Sequence, residues 1–441
     1  MDDPSRHAPP DPTDEPDSDP DLTADDDRPI ARRGAPAPDP TLELHPPMTE
    51  AELIDFAPTW CLFWGRYMRS GQLDTWLPYL RRSKHRFALM TSEDLFRAVD
   101  LAKIADVPNV RVVAPYSDAV DWLRWIKPFR GFLYIGSQPE NFRTVNHLGK
   151  KVHIYIGHGE SGKATSGYRT GSLYDAILVA HYEAVDRFPP VIRRWVKGGA
   201  MAIGTSLVEG IHRDPWPQPK PIKTMLYAPT WESRNERGDF TSLDVVAPIL
   251  IAAMPALRER GISVILRPHP GTGIRLEQLR QTRDAVYAAG AESGITKEAA
   301  FDRADVLISD VSGVTAEFLF TEKPSILPLT AKFDAVAKDD AWLDHEYPWV
   351  YRWPLKAAAD VDVQVAALLA QLDAIEAGDP LRDRRKKEAA RMFRGHRSIE
   401  EAVQSFELAL EIAAVSRWRR RAIPMRWPYE YRRWRMRRRR R

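Results

Sequence analysis

Cysteine is nearly absent from this chain. Cys61 is the single thiol in 441 residues, so no internal disulfide can form, which fits a reducing compartment. No apolar run approaches the roughly 20 residues that a membrane span needs. The N-terminus is acidic and proline-rich, the reverse of a secretory leader. The expectation is a cytoplasmic chain whose contact with a membrane is peripheral. No repeat of 20–50 residues is visible, and no close His/Cys/Asp spacing suggests a metal centre. Nothing in the sequence therefore requires a cofactor, and a divalent metal is left open.

What is present is a strong charge asymmetry. The formal net charge is only +3, yet residues 1–27 hold eleven acidic residues and one Arg, and residues 416–441 hold thirteen Arg and one Glu. Residues 1–48 carry too little apolar surface to offset ordering entropy and are expected to form a disordered acidic tail. The rest is ordinary globular composition, 44% hydrophobic, and long enough for two domains with full cores.

Order is expected near Met48, with a helix start at Thr49, Glu52 and Leu53. Strand-like runs then alternate with helical segments: 86–91, 110–116, 131–137, 151–157, 176–180 and 200–204. Buried runs separated by helices argue for a mostly parallel sheet, hence a first α/β domain over 49–210. Residues 211–222 contain four prolines and read as a linker of limited flexibility. The pattern restarts with strands at 223–230, 263–270, 304–313 and 324–329, and an amphipathic helix at 243–261 closed by Gly261. A second α/β domain is expected over 223–415, with terminal helices at 360–377 and 398–415. The first of these two is the one expected to return to the first domain. Two such domains enclose a cleft, and their strand-end loops point into it.

Four loops carry possible chemistry. The run KVHIYIG ends in His158, followed by Gly159, Glu160, Ser161 and Lys163. Gly157, Gly162 and Lys163 match most of a phosphate-binding P-loop, but position 164 is Ala where Mg²⁺ binding needs Ser or Thr, and no helix pattern follows. In ILRPHPGTG the flanking prolines hold His269 extended. Arg267, two residues earlier, faces the same way, and an Arg beside a His suits a phosphate. In LISDVSGVTAEFLF, Asp310 and Ser312 precede a helix starting at Ser312 or Gly313, whose N–H groups suit an anion. Glu317, one turn on, suits the hydroxyls of a ribose or glycerol. In YAPTWESRNERG, Thr230 and Trp231 end a strand facing the cleft. His158 and His269, opposed across the cleft, suit a general base and a phosphate stabiliser.

HG after the fourth strand-like run, LYAPTW, ILRPHP and DVLISDVSGVTAEFLFTEKP, in this order and spacing, resemble the CDP-glycerol glycerophosphotransferases of teichoic-acid synthesis over about 150–330. That resemblance implies a GT-B fold of two Rossmann-like domains and a peripheral membrane enzyme. It implies transfer of glycerol phosphate, or a related polyol phosphate, from a CDP-linked donor to a hydroxyl of a glycan or lipid-linked acceptor, with release of CMP. It makes His158 the acceptor-activating base, gives the donor pyrophosphate to Arg267 and His269, and assigns Ser309, Asp310 and Ser312 to the nucleotide. Glu317 stands where the family usually has Asp. The chain departs from the family at HGESGK, where HGTPLK is usual, and at SDVSG, where SDYSS is usual. Acceptor preference is accordingly expected to lie in Glu160, Ser161 and Lys163. Two alternatives stand beside this reading: a GT-B glycosyltransferase using a nucleotide sugar, and an inactive relative that binds nucleotide or polymer.

Residues 416–441 interleave Arg419, Arg420 and Arg435 with Trp427, Trp434 and two tyrosines. Arg attracts anionic headgroups at roughly 1 kcal/mol each, and Trp and Tyr favour the membrane interface. This tail is expected to dock on an anionic membrane surface at the inner face of the cell membrane, in preference to nucleic acid.

Overall fold

The computed structural model describes residues 48–64, 73–91, 103–113, 122–136, 139–157, 171, 173–188, 193, 199–209, 211, 220–232, 239–336, 340–355, 360–393 and 398–420. The acidic tail and most of the Arg/Trp-rich tail lie outside them.

The first lobe opens with Glu50–Phe56 (α1), where Thr49 and Glu52 form the expected reciprocal cap. Seven parallel strands follow: Trp60–Trp64 (β1), Phe87–Thr91 (β2), Val110–Val113 (β3), Gly131–Tyr134 (β4), Val152–Tyr155 (β5), Ala176–Val179 (β6) and Ala200–Ala202 (β7). Leu77–Arg82 (α2) and Pro139–His147 (α3) are among the crossovers. The order is β3-β2-β1-β4-β5-β6-β7, a doubly wound sheet whose direction reverses between β1 and β4. Six of these strands match the periodicity. β1, at the centre of the sheet, does not appear in the sequence reading: its WCLFW run lacks the β-branched residues that mark the others.

The second lobe has five parallel strands, Thr224–Ala228 (β8), Ser263–Leu266 (β9), Val306–Ser309 (β10), Ser325–Leu329 (β11) and Tyr351–Pro354 (β12), in the order β12-β11-β10-β8-β9. Here the reversal lies between β8 and β10. Leu243–Glu259 (α4) covers one face and tolerates two internal prolines, Pro248 and Pro255, each worth about 3 kcal/mol against a helix interior. Its buried row from Leu243 to Leu257 holds it in place. Glu277–Ala288 (α5), Lys297–Arg303 (α6) and Gly313–Phe318 (α7) connect the strands, and Ala331–Val336 (α8) and Asp340–Glu346 (α9) follow.

Val361–Gly378 (α10), Arg382–Met392 (α11) and Ile399–Arg420 (α12) end the described chain. α10 packs Leu368, Leu372 and Ile375 into the second lobe. α12 is the element that returns: Ile399, Ala402, Val403, Phe406, Leu410 and Ala413 enter the core of the first lobe, with Trp60, Trp76 and Phe87. This corrects the expectation that 360–377 would cross back and that 398–415 would stay with the second domain. Near the expected boundary at 210, Leu207 and Ile211 pack into the second lobe's core, while Val208 also packs against the core of the first. The architecture is GT-B-like: two Rossmann-like lobes that turn their strand ends toward a cleft.

Candidate functional site

β8, β9 and β10 bring their carboxyl ends together at the reversal point of the second sheet. Beyond β8 and β9 the ladder continues irregularly: Arg267 N donates to Tyr227 O (2.9 Å) and His269 N to Pro229 O (3.1 Å). The extended alternation therefore runs through Arg267 and His269, and both are half-buried.

The His269 ring is fixed on two sides. Trp231 stacks on it with centroids 5.5 Å apart and planes 19° from parallel. Gly271 N donates to His269 Nδ1 (2.9 Å), which puts the proton of the neutral ring on Nε2 and leaves that atom a donor. A Cβ at Gly271 would come within 2.9 Å of the Trp231 ring and 3.0 Å of His269 Nδ1, so this position admits only glycine without displacement.

Glu232, buried to 1% exposure, sets the loop that follows. Its carboxylate accepts from Gly273 N (3.1 Å), Arg275 N (3.0 Å) and Leu276 N (3.4 Å). The neighbouring Thr272 hydroxyl is buried with no hydrogen-bond partner among the described residues.

Arg267 loses part of its hydration, which lowers its pKa, while the carboxylates of Glu298, Glu317 and Asp74 act in the opposite direction. Asp74 belongs to the first lobe, so the cationic centre of the second sheet lies in the field of the facing lobe. The guanidinium stays charged at every working pH. Glu317 pairs with Lys297 (3.2 Å). The carboxylate expected to meet polyol hydroxyls thus already has a cation beside it, and Lys297, at the start of α6, joins the site without having been singled out from the sequence.

Asp310 is a clamp. Its Oδ2 accepts from Thr230 N (2.8 Å) and Ser242 N (3.3 Å), binding the end of β10 to the end of β8 and the start of α4. Ser309 Oγ donates to Ala228 O (2.7 Å) and lies 3.2 Å from Ser312 Oγ. Ser312 caps α7 by accepting from Thr315 N (3.4 Å), and Thr315 Oγ1 donates to Asp310 O (2.6 Å). Thr230, Ser309, Asp310 and Ser312 are all buried, and the bonds described run within the loop framework. α7 begins at Gly313 as expected and is only six residues long.

In the first lobe, β5 ends at Tyr155 and the chain runs on to Gly157, which has φ +67°; Trp76 Nε1 donates to Gly157 O (2.8 Å). The chain then enters His158, Gly159, Glu160, Ser161 and Lys163, which lie outside the described residues, as do Trp427, Trp434 and Arg435. Arg419 and Arg420 fall within α12. Of the residues singled out from the sequence, the structure brings together Thr230, Arg267, His269, Ser309, Asp310, Ser312, Gly313 and Glu317. Glu232, Trp231 as a stacking partner, Thr272 and Lys297 are additions. A buried-strand reading of YAPTWE offers a signal for Glu232, since an acidic residue directly after a buried run demands partners.

Arrangements of this kind, a fixed imidazole N–H and a permanent guanidinium at the carboxyl ends of parallel strands, suit oxyanions of a phosphate ester. Among the described residues no group of three or more His, Cys, Asp or Glu side chains is placed to hold a metal ion. No helix among them is long and apolar enough to cross a membrane.

Comparison with known proteins agrees with this architecture. No curated protein matches the chain. Among solved structures, a protein assigned as UDP-N-acetylglucosamine 2-epimerase from Listeria monocytogenes superposes with a TM-score of 0.50 at 11% identity, covering 80% of this chain and 96% of its own. A variant of the wall teichoic acid polymerase TagF soaked with CDPG gives 0.50 at 13%, covering 81% and 89%. MnaA from S. aureus with UDP gives 0.50 at 10%, covering 80% and 96%. At such identities the likeness is one of fold. The family model of CDP-Glycerol:Poly(glycerophosphate) glycerophosphotransferase matches residues 212–331, the stretch that contains β8 to β11 and every strand-end residue of the second lobe described above. Over that stretch the chain is similar to the CDP-glycerol:poly(glycerophosphate) glycerophosphotransferases, a family of enzymes.

Proposed function

We propose that the protein transfers glycerol phosphate, or a related polyol phosphate, from a CDP-linked donor to a hydroxyl of a cell-envelope glycan or lipid-linked acceptor, and releases CMP. The observation that carries this reading is the pair Arg267 and His269 at the end of β9, with the imidazole proton held on Nε2 by Gly271. The family match and the CDPG soaked into TagF support the choice of donor.

In this mechanism an acceptor hydroxyl attacks the β-phosphorus in line, and the bond to the oxygen bridging to CMP breaks. Arg267 and His269 Nε2–H neutralise the charge on the phosphoryl oxygens and on the departing CMP. His158, at the end of the first lobe's β5 segment, takes the proton of the acceptor hydroxyl. Thr230, Ser309, Asp310, Ser312 and Gly313 shape the nucleotide side of the pocket, and the Glu317–Lys297 pair lies beside the polyol phosphate. Gly159, Glu160, Ser161 and Lys163 form the acceptor-side loop. The Arg/Trp-rich tail holds the protein peripherally on an anionic membrane at its cytoplasmic face, where a lipid-linked acceptor is presented.

A donor panel tests this reading. Purified protein is supplied with CDP-glycerol, CDP-ribitol, UDP-sugars and GDP-sugars, and nucleotide release is measured. CMP release from a CDP-polyol is expected, and His269→Ala is expected to lower it by about 100-fold or more. Release of UDP or GDP would replace the reading with a glycosyltransferase. Donor binding without turnover would leave an inactive relative.

A further inference from the structure

α12 has a second face. Its inner side is built into the first lobe by Phe406 and its neighbours. On the outer side Leu408, Ile412 and Val415 are 57%, 43% and 76% exposed. Their spacing of four and three residues aligns them in one row along the helix. The first turn of the same helix is acidic, with Glu400 and Glu401 both exposed. The outer surface thus begins acidic and continues as an apolar row flanked by Glu411, whose side chain is 44% exposed and paired with Lys84 at 2.8 Å.

We propose that this row is a docking surface for an anionic lipid bilayer, and that it extends the membrane contact from the C-terminal tail into the folded body of the protein. Three observations on this chain select the partner. A row of Leu, Ile and Val suits shallow insertion, about 5–10 Å, at the boundary between headgroups and acyl chains. The sequence directly after Val415 supplies Arg417, Arg419, Arg420 and Arg421, with Trp418 among them, and this mixture complements anionic headgroups and the interfacial belt. The helix itself continues to Arg420, so apolar and basic positions belong to one continuous element. The acidic first turn is repelled by the same surface, which orients the helix with its C-terminal end toward the lipid.

The orientation matters because the inner face of α12 is coupled to the first lobe. Phe406 packs on Trp76 with centroids 5.9 Å apart, and Trp76 holds the carbonyl of Gly157, the last described residue before His158. Docking through the apolar row therefore presents the first lobe to the bilayer. The inference does not depend on which donor the site uses.

Cys61 makes the test specific. It is the single cysteine, fully buried, and burial pushes its thiol pKa far up, so a second cysteine on the surface is labelled alone. Full-length Leu408→Cys carrying an environment-sensitive dye is expected to shift to the blue with phosphatidylglycerol–phosphatidylcholine vesicles and to stay unchanged without vesicles. Full-length Leu408→Glu/Ile412→Glu, with the tail intact, is expected to lose at least about tenfold in vesicle partitioning. Its melting temperature is expected to match the parent's, since both side chains are exposed. An unshifted dye together with undiminished partitioning would overturn the proposal. So would a double variant that partitions normally but changes sedimentation without vesicles, because the row would then belong to a contact between copies of the chain. Loss of CMP release with vesicle binding intact tells against the proposed reaction and not against this surface.

Discussion

Glu232 stands among groups suited to phosphates, yet its own negative charge is directed into backbone. Three N–H groups of residues 273–276 converge on its carboxylate, and this turns the chain after His269 back toward α5. Glu232→Gln replaces one acceptor oxygen by a donor facing an N–H. The expected result is a loss of about 1–3 kcal/mol of stability, read by urea unfolding, with a KM for the CDP-linked donor raised about tenfold. If neither quantity moves, the loop does not depend on this carboxylate.

His85 is a second residue whose chemistry comes from its surroundings. It is buried, and desolvation lowers its pKa below the ordinary 6.5, with Glu407 and Glu411 opposing and Arg130 and Lys84 reinforcing the shift. Below pH about 6.5 the unfolded chain binds the proton that the folded ring resists, so folded stability falls as pH falls through that region. Melting temperature measured from pH 7.5 down to 5 is expected to decline in the parent and to decline less in His85→Leu. Parallel curves would assign the decline to other groups.

At the scale of elements, what was readable in the sequence depended on how local the signal is. Most of the runs at β2 to β7 and β8 to β11 are short and apolar, and several, such as β5, β8, β9 and β10, are followed closely by Gly or Pro, so these betray their own ends. β1 is aromatic and sulfur-bearing, WCLFW, and pairs with both β2 and β4; its centrality is a property of the assembled sheet. β12, YRWP, is a four-residue edge strand containing Pro354, a composition that argues against a strand when read alone. Arg267 and His269 were legible because Pro-His-Pro restricts its own backbone. The commitment of Asp310 to Thr230 and Ser242 was not, because those partners are 80 and 68 residues away.

The choice between α10 and α12 as the returning helix was equally beyond reach, since both have apolar positions at helical spacing. Phe406 decides it in the structure, lying against Trp76, Tyr79 and Phe87. Phe406→Ala is expected to cost about 3–5 kcal/mol, seen as a lower urea midpoint. A cost below 1 kcal/mol would mean that α12 is held by its ion pairs, such as Lys84 with Glu411, rather than by this ring.

For the whole molecule, the consequence is that the first lobe is not made of one contiguous stretch: its core joins residues 60–203 to 399–413, while the core of the second lobe lies within 207–393. A chain ending after Phe393 lacks the wall that covers Trp60, Trp76 and Phe87, and it is expected to lose near-ultraviolet circular dichroism and to aggregate. A chain ending after Val415 keeps that wall and is expected to stay folded. Equal behaviour of the two truncations, checked by gel filtration and circular dichroism, would show that the first lobe closes without α12.

The returning helix also sets an order of events at the ribosome. Residues near 210 complete the sheet of the first lobe, but the segment that seals its core is translated some two hundred residues later. At about 5–20 residues per second, roughly 10–40 s separate the two. During that interval the nascent chain carries an aromatic surface open to water while the second lobe is still being made, and that surface is a natural landing place for a chaperone.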